Sequence, residues 1–169
     1  MHFTDRTDAG LTRTFAAVGG AAGFGITSDG SLYELIGAEN GLRALIETFY
    51  DIVEFEPEGE LLLTLHRRGH GVAHSRIEQF DFLSGFLGGP RLYVEHHGHS
   101  DVRAMHEHVD ISEEARDAWL KCMAIAIDRV GLPKDLKQRL MMPFTHIANL
   151  LQDANAANVA IRPPPDRIA

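Results

Sequence analysis

The sequence predicts an all-α domain, and three observations carry that expectation. Apolar residues recur at helical spacing over several long segments, as at Leu42, Ile46, Phe49 and Val53. Glycine and proline clusters cut those segments at intervals that suit helices, as at Pro57, Gly59 and the run Gly88-Gly89-Pro90. No alternating apolar–polar stretch of useful length occurs, and there is no internal repeat.

Residues 1–30, punctuated by glycine and aspartate, are expected to form an N-terminal extension with little regular structure. Order begins at Ser31, which with Glu34 has the S-x-x-E spacing of a capping box. A short helix there stops near Gly37. The second helix starts at about Glu39, carries Tyr50 one turn after Ile46, and ends in EFEPEGE. LLLTLH (61–66) is either a helical turn or a buried segment, and RRGHG (67–71) reads as a loop. From Val72 to Leu87 a helix places Ser75, Gln79, Phe82 and Phe86 on one stripe. That stripe is polar at its start and aromatic at its end, whereas a purely structural helix is more often apolar throughout.

YVEHHGHSD (93–101) reads as a polar stretch, followed by a short helix from Val102 to about Glu107. Ser112, Glu113 and Glu114 open a long helix, with acids in the first turn where the helix dipole favours them. Its stripe is Trp119, Met123, Ala126 and Val130, and Gly131 closes it. A last helix from about Pro133 carries Leu136, Leu140, Phe144, Ile147 and Leu151, with a kink expected at Pro143. The domain is expected to span 31–153, and the Pro-rich tail 154–169 to be mobile. About six helices result, with neither heptads nor even up–down spacing, which suits a globin-like or irregular α core.

Bulk properties narrow the function classes. The chain has 169 residues, 44% of them hydrophobic, enough for one domain with a real core. A net charge of −8 argues against non-specific nucleic-acid binding. No segment approaches the roughly 20 apolar residues of a membrane span, and FAAVGGAAGFG (15–25) is too broken for a signal-peptide core. A cytoplasmic protein is expected. The single cysteine, Cys122, fits a reducing compartment and reads as a small buried residue rather than a reactive thiol.

Ten histidines are the unusual count. His66, His70 and His74 have i, i+4, i+8 spacing, but Gly69 and Gly71 interrupt the helix such a metal site needs. His96, His97 and His99 lack the cysteines or second ligand pair of a structural zinc site. His106 and His108 diverge by about 200° on a helix, so at most one points inward.

Four segments, in order, bear on that last pair: GAENGLRALIETFYDIVE (37–54), FLGGPRLY (86–93), GHSDVRAMH (98–106) and EARDAWLKCM (114–123). Together they resemble the group II truncated haemoglobins over about Ser31 to Leu151. The resemblance implies a shortened globin, two helices packed over two, enclosing haem b. It matches His106 to the proximal iron ligand, with Val109 and Ile111 lining the proximal side. Tyr50 and Trp119 match the distal tyrosine and tryptophan, and His66 the family's aromatic or histidine position after the second helix. Gln79 stands where many relatives have leucine and makes the distal pocket more polar. His108-Val109 replaces the usual proline–aromatic pair.

With those matches, Phe82 and Phe86 would supply ring contacts to the haem. Ser75 would stand at the cavity mouth, and Tyr93 and Arg103 would meet the propionates. One histidine ligand leaves the sixth iron position open. Hydrogen-bond donors beside bound dioxygen slow its release, and Tyr50, Trp119 and Gln79 can all donate. The implied function is reversible binding of dioxygen, with nitric oxide or CO as further ligands. Two rival readings stand beside it. One is a haem-dependent redox enzyme, a nitric oxide dioxygenase or peroxidase, served by a separate reductase. The other is a non-haem histidine-rich zinc or nickel protein. The oligomeric state is open, with a homodimer among the options.

Overall fold

A computed structural model of the chain describes residues 26–27 and 30–161. The expectations for the rest of the N-terminal extension and for 162–169 lie outside those residues. Among the described residues the chain is helical, apart from a two-residue antiparallel pairing of β1 (Ile26–Thr27) with β2 (Gly30–Ser31). No described helix is long and apolar enough to cross a membrane.

α1 (Leu32–Leu35) starts where the capping box places it: the Ser31 hydroxyl accepts the Glu34 N–H, and the Glu34 carboxylate accepts the Ser31 N–H at 2.9 Å. The corner into α2 (Ala38–Phe55) is so tight that a Cβ at Gly41 would lie 1.7 Å from the Ile36 carbonyl oxygen. Glycine is therefore required there. α2 buries Leu42, Leu45, Ile46, Phe49, Ile52 and Val53 almost completely, the stripe its periodicity predicts. Each such side chain contributes about 1.5–3 kcal/mol by leaving water.

A 3₁₀ turn at Pro57–Gly59 leads into α3 (Glu60–Arg68). LLLTLH is thus a true helix, and it takes in Arg67 and Arg68 of the expected RRGHG loop. α4 (Val72–Phe86) ends at Gly88, whose φ of +93° suits a residue without a side chain. The stretch read as merely polar, YVEHHGHSD, holds all but the first residue of α5 (Leu92–His97), which is closed by Gly98 at φ +77°. Its one buried residue, Tyr93, is too sparse a signal for periodicity to register.

α6 (Val102–His106) follows, then α7 (Glu113–Arg129), whose N-cap Ser112 accepts the Ala115 N–H at 3.2 Å. α8 (Lys134–Ile161) runs unbroken through Pro143 and past residue 153. Its helical backbone therefore includes the first part of the segment read as a tail. Eight helices, rather than six, are present among the described residues. The two extra ones are short segments that packing stabilises.

The long helices form two layers. α2 packs on α4, α7 packs on α8, and α2 also packs on α7, joining the layers. Met123, Ala126 and Ile127 of α7 and Leu140 and Phe144 of α8 complete the core. α6 lies against α8. The space left between α6 and the α2–α4 layer holds the cavity described next.

Candidate functional site

A cavity of about 520 Å³ is lined by residues of α2, α3, α4, α6, α7 and α8, including Tyr50, His66, Gln79, His106, Trp119 and Ile147. Most of its wall is apolar, with a few polar atoms at defined places, as in small-molecule and cofactor sites generally.

On one wall, α2 holds Tyr50 almost fully buried. Its hydroxyl donates to Gln79 Oε1 at 3.0 Å and lies 3.5 Å from His66 Nε2. Burial pushes the Tyr50 phenol well above its ordinary value, with the Ser75 hydroxyl and the Arg76 charge pulling the other way. It stays protonated. His66 Nδ1 lies 2.7 Å from the Leu62 carbonyl, which can only accept. The ring proton therefore sits on Nδ1, and Nε2 presents a lone pair to the cavity. Burial lowers the pKa of His66, the Leu62 bond opposing in part, so the ring is held neutral.

Gln79 completes this wall. Its amide oxygen accepts from Tyr50, while its Nε2 is buried without a hydrogen-bond partner. An unpaired buried donor is costly, and native proteins rarely leave one without a reason. Ser75, one turn earlier, spends its own proton on the Gly71 carbonyl at 3.0 Å.

On α6, His106 Nδ1 donates to the Val102 carbonyl at 2.8 Å. That bond fixes the tautomer and leaves the Nε2 lone pair free to coordinate a metal. Burial lowers its pKa, and the carbonyl bond opposes only in part. The side chain is thus a neutral imidazole, the form a metal needs. The N-cap Asp101 secures this five-residue helix by accepting from the Arg103 and Ala104 N–H groups at 3.0 and 3.3 Å.

The other expected site residues divide into those at the cavity and those near it. Trp119 lines it, edge-on to Phe144 at 5.6 Å and tilted to Phe49 at 5.8 Å. Phe82, Tyr93, Val109 and Ile111 also line it. Phe86 stands behind Phe82, stacked between it at 5.6 Å and Phe144 at 6.4 Å, and so supports the wall from the core. Arg103 is exposed and lines an adjoining cleft with Asp101, Glu107, Val109 and Ile111. It does not line the main cavity.

Of the other described histidines, His70, His74, His97 and His108 also line the cavity, so both members of the His106/His108 pair reach it, where at most one was expected to point inward. His108 is exposed and meets His70 edge-on at 4.8 Å, and His70 meets His74 at 5.1 Å. His96 pairs with Asp81 at 2.7 Å, His97 with Glu78, and His99 with the Asp101 N–H. Among the described residues no cluster of three or more histidine, cysteine or acidic side chains is arranged to hold a metal ion. Sequence reasoning missed the Leu62 and Val102 carbonyls that orient His66 and His106. Both lie four residues before their histidine, so the signal was available once each segment was known to be helical.

These residues fit haem: a neutral imidazole with a free Nε2, an apolar-walled cavity, and an orphaned amide donor on the wall bearing Tyr50. Residues 31–153 match the bacterial-like globin family. A group 2 truncated haemoglobin of Bacillus subtilis is 39% identical over 121 residues, covering 69% of this chain and 87% of its own. The group II two-on-two haemoglobin of Agrobacterium tumefaciens has a TM-score of 0.68 at 32% identity, over 75% of this chain and 96% of that one. The structure of the truncated oxygen-avid haemoglobin of Bacillus subtilis has a TM-score of 0.63 at 37% identity, over 72% of this chain and 98% of that one.

Two helical layers around such a cavity define a haem globin, a protein that holds haem b and binds diatomic ligands. Within that class the chain belongs to the bacterial-like globins, and it is a group II truncated haemoglobin.

Proposed function

We propose that this globin binds dioxygen reversibly at a five-coordinate haem iron and retains it by hydrogen bonding from the wall that carries Tyr50 and Gln79. His106 Nε2 is the proximal ligand in this reading. Trp119, Phe82 and Tyr93 bound the haem, with Val109 and Ile111 on the proximal side. When bound, the haem supplies an iron with one position open to a diatomic ligand.

The chain's own residues do the rest. The observation that carries the reading is the Gln79 amide, held through its oxygen by Tyr50 while its buried Nε2 has no acceptor. A polar ligand in the cavity would supply that acceptor and relieve the cost of the unpaired donor. His66, neutral and with its lone pair toward Tyr50, adds no positive charge of its own to the polar wall. The apolar remainder of the cavity limits water, which strengthens every hydrogen bond inside it. Retention rather than rapid delivery is the expected consequence, in keeping with the Bacillus subtilis relative described as oxygen-avid.

Stopped-flow measurement of dioxygen release tests this. Tyr50→Phe and Gln79→Leu should each speed release by roughly five- to tenfold, the size of one net hydrogen bond. A fast wild-type off-rate that neither substitution changes would overturn the reading.

A further inference from the structure

Arg76 lies on α4 between Ser75 and Gln79, and its guanidinium reaches across to α2. Its Nη2 donates to Asp51 Oδ1 at 3.0 Å and to Glu54 Oε2 at 2.6 Å, and its Nη1 pairs with the Glu47 carboxylate and donates to the Glu47 carbonyl at 3.4 Å. The Arg76 Cζ lies 5.4 Å from the centre of the Tyr50 ring. Glu47, Asp51 and Glu54 have i, i+4, i+7 spacing, so they form one stripe along α2 beside Tyr50.

Isolated surface ion pairs are worth little, because water screens them and side-chain entropy opposes them. This one differs in geometry. The Arg76 side chain is only 18% exposed, and three carboxylates share its planar fork. A guanidinium held in that way cannot swing freely, and it is fixed near an aromatic ring whose hydroxyl belongs to the cavity wall. The three acids also explain why the cation stays there. Without it they would form an uncompensated negative stripe alongside Tyr50.

We propose that Arg76 is a positioning residue for the distal donors: anchored by Glu47, Asp51 and Glu54, it lies over Tyr50 and locks the α4 turn that brings Gln79 to the Tyr50 hydroxyl. This rests on the reading of that wall as the surface that retains ligand. The direct effect is geometric, since α4 can shift along α2 only by breaking the network. A second effect is electrostatic: the positive charge favours the electron-rich form of the ring and makes the hydroxyl a better donor. The Arg76 charge acts on the Tyr50 phenol in that same direction.

The test uses the CO-bound holoprotein, because the C–O stretching frequency in the infrared reports donors beside the ligand. Tyr50→Phe, Arg76→Met, Arg76→Lys and the Arg76→Met/Tyr50→Phe double variant are compared, with dioxygen release measured alongside. Arg76→Met should move the band in the same direction as Tyr50→Phe and speed release by about two- to thirtyfold. Arg76→Lys should restore part of the shift. In the Tyr50→Phe background Arg76→Met should add little, because the two residues act as one unit.

A band moved by Tyr50→Phe but not by Arg76→Met, even with a lowered melting temperature, would make Arg76 a structural clamp and overturn the proposal. A band moved by neither would overturn the distal reading and this proposal together, so the two failures are distinct. Should Arg76→Met fail to fold, Asp51→Asn with Glu54→Gln loosens the anchor and leaves the cation. That pair should shift the band in the same direction, and an unmoved band would overturn the proposal.

Discussion

At the scale of single residues, the site depends on where protons sit. His66 and His106 each place a ring proton on a carbonyl four residues back, which turns the other nitrogen toward the cavity. One tautomer rule thus serves two walls. Of the two, only His106 combines that geometry with a capped helix and two nearby apolar residues, Val109 and Ile111, in the cavity lining. Replacing His106 by glycine should abolish or drastically alter the Soret band in ferric, reduced and CO-bound spectra while His108 is intact. An unchanged spectrum would move the iron ligand elsewhere. Cys122 is a contrast: its buried thiol sits 3.4 Å from the Glu58 carbonyl and its pKa is pushed up to about 11 by burial and nearby acids. A thiol held protonated in that way is a packing residue.

At the scale of elements, short helices carry the most consequential side chains. α6 has five residues, too few to be stable alone, and an isolated helix of that length is far below the dozen or so that water tolerates. Its order comes from the Asp101 cap and from packing on α8. Asp101→Ala should therefore cost about 1 kcal/mol of local stability. The measurable consequence is faster transfer of haem to an excess of a tight-binding apoglobin, with the Soret position unchanged. Equal transfer rates for variant and wild type would show that packing on α8 alone holds His106 in place. α4 behaves differently, because its polar residues face a partner helix and the cavity at once. The polar start of its stripe is the cavity wall, and its aromatic end, Phe82 and Phe86, joins the wall to the core.

For the whole molecule, burying two neutral histidines links the fold to pH. Both His66 and His106 have pKa values lowered by burial from the ordinary 6.5. As pH falls through about 6.5 the unfolded chain takes up protons that the folded apoprotein refuses. Their contribution is therefore fully present above that value and declines as the pH drops toward the lowered values. The apoprotein's melting temperature should fall between about pH 7 and about pH 5.5, and more steeply than in a His66→Phe variant. A flat profile would remove both histidines from the linkage, and the same slope in both proteins would remove His66.

Much of this architecture was legible in the sequence. The apolar stripes of α2, α7 and α8 could be read because long helices repeat their pattern often enough to stand out. The ordered motifs carried the family, and with it Tyr50, His106 and Trp119. The short helices α3 and α5 were not legible as such, because one or two turns hold too few apolar positions to define a period. What the sequence by itself determined is which faces must be buried and which side chains can coordinate or donate. Only the tertiary structure decided how they pair. Tyr50 and Gln79 are 29 residues apart and Arg76 stands 25 from Asp51, and only the packing of α4 on α2 brings them together. Phe86 lies behind the wall and Arg103 outside the main cavity for the same reason. Helical spacing fixes a side chain's direction around its own axis, while the distance to another helix depends on how the two cores interlock.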